Sequence, residues 1–166
     1  GLNTKLTKFN GCFPFDIYTK IIKYIEGQIK MTLLIQPEVN TLNKEEEDRQ
    51  GIRFNLDLKN KTASVIKSPN SNGEVEIPRA FVYNKKEFKI VEICDEAFSV
   101  GNAQVISFDK NSSVRSIGRK AFGNPTIQNI FIPASVRSIS SEWIDGSINL
   151  NEVKVDSKNK RYSNYD

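Results

Sequence analysis

Two nearby stretches decide how this chain folds: Ile117-Gly118-Arg119-Lys120-Ala121-Phe122, then Ile130-Phe131-Ile132-Pro133-Ala134-Ser135-Val136-Arg137-Ser138-Ile139. Their apolar residues recur at a fixed interval. Ile127, Ile130 and Ile132 align with Leu150, Val153 and Val155 at an offset of 23, and with Ala103, Ile106 and Phe108 at an offset of 24. Val75 and Ile77 fit the same frame 31 residues ahead of Ile106 and Phe108, the excess matching an insertion-like stretch over Tyr83–Phe88. A second series keeps the beat: Val91 and Ile93 before Ala97-Phe98, Val114 and Ile117 before Ala121-Phe122, Val136 and Ile139 before Trp143.

Self-similarity at this period is the signature of a stacked repeat. Each unit supplies a short strand with two or three inward apolar residues, a turn, a second short extended piece and an aromatic plug. One unit cannot bury its own apolar face, but stacked neighbours can. The pattern predicts Ile77, Phe108, Ile132 and Val155 as one continuous ladder, with Phe98, Phe122 and Trp143 as a second column behind it. The fold class is therefore a β-rich repeat solenoid of short strands and turns. Ile77-Pro78 and Ile132-Pro133 end strands where a missing amide donor does least harm.

Outward from the repeats, the organisation changes near residue 50. Ile52, Phe54, Leu56 and Leu58 alternate with polar residues as in a half-buried strand, and Thr62–Ile66 returns after the polar turn Lys59-Asn60-Lys61. This hairpin is expected to cover the first repeat, so residues 51–166 form hairpin cap plus repeats. Residues 36–50, with Pro37, Asn40, Asn43 and the acidic run Glu45-Glu46-Glu47-Asp48, have little to bury and are expected to be an acidic linker. Residues 1–35 are an N-terminal helical segment: Ile17, Ile21, Ile22, Ile25 and Ile29 make an amphipathic stripe, with Asp16 as its cap. The last frame is followed by no polar capping helix. The simpler account is a chain cut short within a longer array; the other is an open edge over residues 150–166 that pairs with something, a second copy included.

Composition bounds the function classes. The chain has 166 residues, 38% of them apolar, and no apolar run approaches the roughly 20 residues needed to span a bilayer, so no membrane insertion is expected. Its 24 Lys and Arg against 20 Asp and Glu leave +4, all of it in residues 51–166, too little for a nucleic-acid-binding surface. Histidine is absent, and only Cys12 and Cys94 could act as soft ligands or nucleophiles. The carboxylates are scattered, and no histidine base, zinc cage, phosphate loop or dinucleotide motif is present, so no catalytic residue, metal or cofactor is assigned and the chain is read as a non-enzyme. Cys94, between Ile93 and Ala97 in the repeat, is expected to be buried packing rather than half of a bridge. The first residues lack a signal-peptide pattern, and the sequons at Asn60 and Asn111 matter only in a secretory route, so the compartment is unassigned.

The unit Ile117-Gly118-x-x-Ala121-Phe122 with Ile132-Pro133-x-Ser135-Val136-x-x-Ile139 resembles the BspA-like leucine-rich repeats, abundant in bacterial surface proteins and in trichomonad and amoebic parasites. The resemblance runs over roughly residues 51–166. Cys94 and Ser140 stand where the unit has glycine and Trp143 where it has Phe, which makes the first and third units degenerate. It implies a binding scaffold without catalytic residues: surface members are associated with adhesion to host cells and matrix proteins, while others carry no signal. A cell-surface location and a protein partner are thus suggested by resemblance. Function on such a fold sits on the residues it displays.

The best-placed strip for a partner is the row of residues that alternation turns outward, Glu76, Ser107, Phe131 and Lys154, with Gln128 and Asn129 beside it. Phe131 there would be an aromatic anchor of the sort that dominates binding energetics. Lys85, Lys86 and Lys89 read as a solvated loop. A rival reading starts from Phe13–Ile25, which resembles the first helix of an F-box. It implies an intracellular adaptor that recruits a ubiquitin ligase, although the later part of that motif is missing.

Overall fold

The computed structural model describes residues 24–26 and 42–164. Tyr24–Glu26 are helical, and the rest of the expected N-terminal helix and its F-box-like stretch lie outside the described residues. Eleven strands follow within one unit beginning at Leu42: β1 (Asn43–Glu47), β2 (Arg53–Asp57), β3 (Thr62–Ile66), β4 (Asn72–Ile77), β5 (Ala80–Tyr83), β6 (Lys86–Ile93), β7 (Asn102–Phe108), β8 (Ser116–Ile117), β9 (Asn129–Ile132), β10 (Ser138–Ile139) and β11 (Glu152–Val155). Among the described residues no helix is long and apolar enough to cross a membrane.

From β6 onward the chain visits two sheets in strict alternation. Sheet A has the order β1-β2-β3-β6-β8-β10 with β5 joined to β6, and sheet B the order β4-β7-β9-β11. Strands of successive turns pair in parallel, which is what a coil climbing one rung per repeat must produce. The register puts like on like. Val75, Ile106, Ile130 and Val153 form one unbroken row across sheet B. Val65, Ile93, Ile117 and Ile139 form its counterpart in sheet A. The expected ladder is present in two halves: Ile77 pairs with Phe108 and Ile132 with Val155, all four in or against the core, but the pairing of β7 with β9 ends at Ile106 and Ile130 and does not join Phe108 to Ile132. Phe98 stacks on Phe122 with ring centroids 5.7 Å apart, and Trp143 meets Phe122 edge-on at 6.0 Å, so the tryptophan preserves the aromatic column.

Turns between the sheets are fixed by close approach and by small polar side chains. A Cβ on Gly118 would lie 2.4 Å from the Asp95 carboxylate and 2.6 Å from the Asp95 amide nitrogen, so this position admits only glycine while the turns stay in contact. Asn124, 3% exposed, donates its side-chain amide to the carbonyls of Phe98 and Gly101, both at 3.1 Å, and accepts from the Thr126 N–H at 3.0 Å. The hydroxyls of Thr126 and Ser135 reach the Ala103 and Val114 carbonyls, each at 2.7 Å, and the Ser147 hydroxyl bonds the Phe122 carbonyl. All of these bonds but the local one from Thr126 to Asn124 tie one turn to the preceding one, and no buried side-chain nitrogen or oxygen among the described residues lacks a partner.

Three expectations need correcting. Within the predicted linker over 36–50, Asn43–Glu47 is a strand that pairs antiparallel with β2. Its side chains are exposed apart from the half-buried Glu46, and it needs only backbone bonds, so it leaves no hydrophobic alternation to read. The insertion-like stretch is a hairpin: β5 and β6 join through Asn84 and Lys85, both at positive φ (49° and 62°), as a two-residue hairpin turn requires. Lys86 and Lys89 therefore sit on a strand rather than in a loop. Cys94 is half-buried, not fully packed away, and it is a free thiol.

Candidate functional site

Alternation along the parallel strands of sheet B turns every second residue away from the core. Two outward rows result. The first crosses the sheet as Glu74, Val105, Asn129 and Glu152, each paired with the next. The second is the row expected from sequence: Glu76 pairs with Ser107 and Phe131 with Lys154, while Ser107 and Phe131 each follow directly on the paired Ile106 and Ile130. Asn129 thus belongs to the face, one row from Phe131. Gln128 does not: it precedes β9 and is exposed, and its backbone serves the coil by donating to the Gln104 carbonyl and accepting from Asn151 and Glu152.

Phe131 is 37% exposed, and the Lys154 ammonium lies 6.0 Å from its ring centroid. The same ammonium is 3.3 Å from the Glu152 carboxylate, so it bridges the two outward rows. At this distance and exposure the cation–π contact contributes on the order of 0.5 kcal/mol, enough to bias the lysine over the ring but not to seal it from a partner.

Beside this pair the strand ends part. The β4–β7 ladder closes with the Asp109 N–H on the Ile77 carbonyl at 2.9 Å, and the β9–β11 ladder with the Asp156 N–H on the Ile132 carbonyl, also at 2.9 Å. Between them the equivalent position is Pro133, which has no N–H to offer Phe108. The β7–β9 pairing accordingly stops at Ile106 and Ile130. A cleft of about 290 Å³ opens there, lined by Phe108, Lys110, Phe131, Pro133, Lys154 and Asp156 among others. Sequence reading placed Phe131 on the face but missed the cleft. Its signal was the proline, taken only as a strand stop.

The edges of sheet B are closed by side chains. Gln50 donates its amide to the Glu76 carbonyl and accepts from the Glu76 N–H, both at 2.8 Å, as a neighbouring strand would. At the opposite edge Asn164 does the same for Val155, at 2.8 and 3.2 Å, and the Tyr162 hydroxyl accepts from the Ile139 N–H at the edge of sheet A. Tyr162 and Asn164, in the stretch for which an open edge was the alternative to a cut chain, thus lay their side chains over the last strands at these points.

Elsewhere two groups have altered proton affinity in ways that bear on chemistry. Burial, with the neighbouring Glu92 carboxylate, pushes the Cys94 thiol up to about 11, so it is protonated at neutral pH. The Glu142 carboxylate raises the Arg119 guanidinium further, cementing a surface ion pair between consecutive turns.

The profile of the BspA type leucine-rich repeat region (6 copies) matches residues 83–165. The chain belongs to the BspA-type leucine-rich repeat family. The match begins at Tyr83, so the hairpin of β2 and β3, and β1 and β4, lie outside it, although they stack on the same ladders. No curated protein and no solved structure matches the chain.

Proposed function

We propose that this BspA-type repeat is a non-catalytic protein-docking module of the adhesion kind, and that its partner, a protein of a host surface or matrix, seats on the outer face of sheet B around Phe131. The observation that carries the reading is the large aromatic exposed on a regular sheet, at the lip of a cleft, with Lys154 over its ring. Aromatic anchors beside a pocket are where interface energy concentrates. Glu76, Ser107 and Asn129 supply polar surroundings on the same face, and Gln128 lies at its margin. The absence of histidine and a protonated Cys94 thiol leave the described residues without an activated nucleophile, which favours binding over chemistry.

Beads coated with the chain test this on cell monolayers and on matrix-coated plates. The native chain is expected to adhere, and Phe131→Ala to reduce adhesion at least tenfold while its circular dichroism stays native. Equal adhesion by Phe131→Ala, or none by the native chain on any of these surfaces, contradicts the proposal.

A further inference from the structure

Two consecutive turns share a pentapeptide, Ser113-Val114-Arg115-Ser116-Ile117 and Ser135-Val136-Arg137-Ser138-Ile139. Parallel pairing of Ser116 with Ser138 and of Ile117 with Ile139 stacks the two copies in register. The Arg137 N–H donates to the Arg115 carbonyl at 2.9 Å. Identical residues at stacked positions bring two guanidinium groups to one place, about 4.8 Å apart at the backbone by the strand spacing. Both line a cavity of about 410 Å³ together with Ser112, Ser113 and Ser135.

Like charges so placed repel unless something neutralises them. Three other arginines of the same unit meet a carboxylate: Arg53 with Glu45, Arg79 with Glu87 and Arg119 with Glu142. Among the described residues no carboxylate comes within ion-pair distance of Arg115 or Arg137. Arg137 is steadied instead by donating Nη1 to the carbonyls of Ala134 and Val136, at 2.6 and 3.0 Å, which fixes the group without cancelling its charge. The Ser112 hydroxyl oxygen accepts from the Val114 N–H at 3.2 Å, so its own hydrogen is available to a ligand.

We propose that Arg115 and Arg137, with the hydroxyls of Ser112 and Ser113, form a site for one dianionic phosphate group. Two positive charges lining one cavity, with hydroxyl donors beside them, match a phosphate's charge of −1.5 to −2 and its three acceptor oxygens; a carboxylate would leave one guanidinium unanswered. The site shares no residue with the cleft beside Phe131.

Titrating the whole chain with inorganic phosphate at constant ionic strength, followed by amide chemical shifts, tests the assignment; O-phosphoserine in a parallel arm separates a free ion from a phosphate carried on a side chain. Saturable shifts are expected at Ser112, Ser113, Arg115, Ser135 and Arg137 with one or both probes, the tighter naming the source. Affinity should fall at least tenfold in the double variant Arg115→Gln/Arg137→Gln and stay within twofold in Lys67→Gln, an exposed charge control outside the cavity. Both arginines are exposed, so a dispersed spectrum of the double variant shows that the fold is kept. The absence of saturable shifts with either probe, unchanged affinity in the double variant, or acetate binding as tightly as phosphate would overturn the proposal.

Discussion

Asn124 holds together three pieces of backbone that no apolar residue could satisfy. Its amide answers two carbonyls of the preceding turn from a position 3% exposed. Asn124→Ala leaves both without donors, and the expected loss is about 2–3 kcal/mol, read as a lower midpoint in denaturant. Nothing in the sequence singled this residue out, because a lone asparagine in a turn looks the same whether it faces water or the next coil. Gly118 was legible as part of the unit that resembles the family, but the close approach of Asp95 that requires it there emerges only from the stacked turns. At Cys94 the folded thiol is raised from the ordinary 9.0 to about 11, so the folded state holds that proton more tightly than the unfolded one. Its contribution is fully present below pH 9.0 and is lost as pH rises through about 11, so the native chain should lose more stability across that window than Cys94→Ala does. Parallel curves for the two proteins would show that the burial does not act on the thiol.

At the scale of strands, the inward positions were readable because alternation and period agree there: Ile106, Ile130 and Ile132 are buried as their spacing predicts. The edges were not readable. β1 carries Lys44, Glu45, Glu46 and Glu47 on an edge exposed along nearly all its length, a composition that discourages further pairing and also imitates a linker. Gln50 acts beyond its own turn, covering Glu76 of β4 from 26 residues away. Gln50→Ala is expected to cost about 1 kcal/mol and to speed hydrogen exchange at the Glu76 amide, which then has no partner. Unchanged exchange there would mean that the side-chain bridge does not close the edge. The cleft beside Phe131 has the same kind of origin, since one proline removes one ladder bond and the partner strands diverge.

The whole molecule is a sum of neighbours. No turn carries a core of its own, so the cost of a cavity depends on how many turns close around it. Ile130 is fully buried between β7 and β11, whereas Val153 lies half-buried on the last strand. Ile130→Ala should therefore cost about 3–4 kcal/mol and Val153→Ala about half that or less. Similar losses at both positions would contradict a core that thins toward its final turn. The solenoid was legible from the period alone, the family from two of its units, and the outward row Glu76, Ser107, Phe131 and Lys154 from alternation; that Gln128 stands off this face followed only once the register was known.

The register itself is the claim on which the rest stands, and proton–proton contacts between methyl groups of selectively labelled isoleucines measure it most directly. Cross-peaks are predicted between Ile106 and Ile130, between Ile93 and Ile117, and between Ile117 and Ile139, pairs set side by side only by stacking one turn on the next. A well-dispersed spectrum in which these isoleucines contact other partners and not one another would contradict the stacked coil and every assignment built on its outer face.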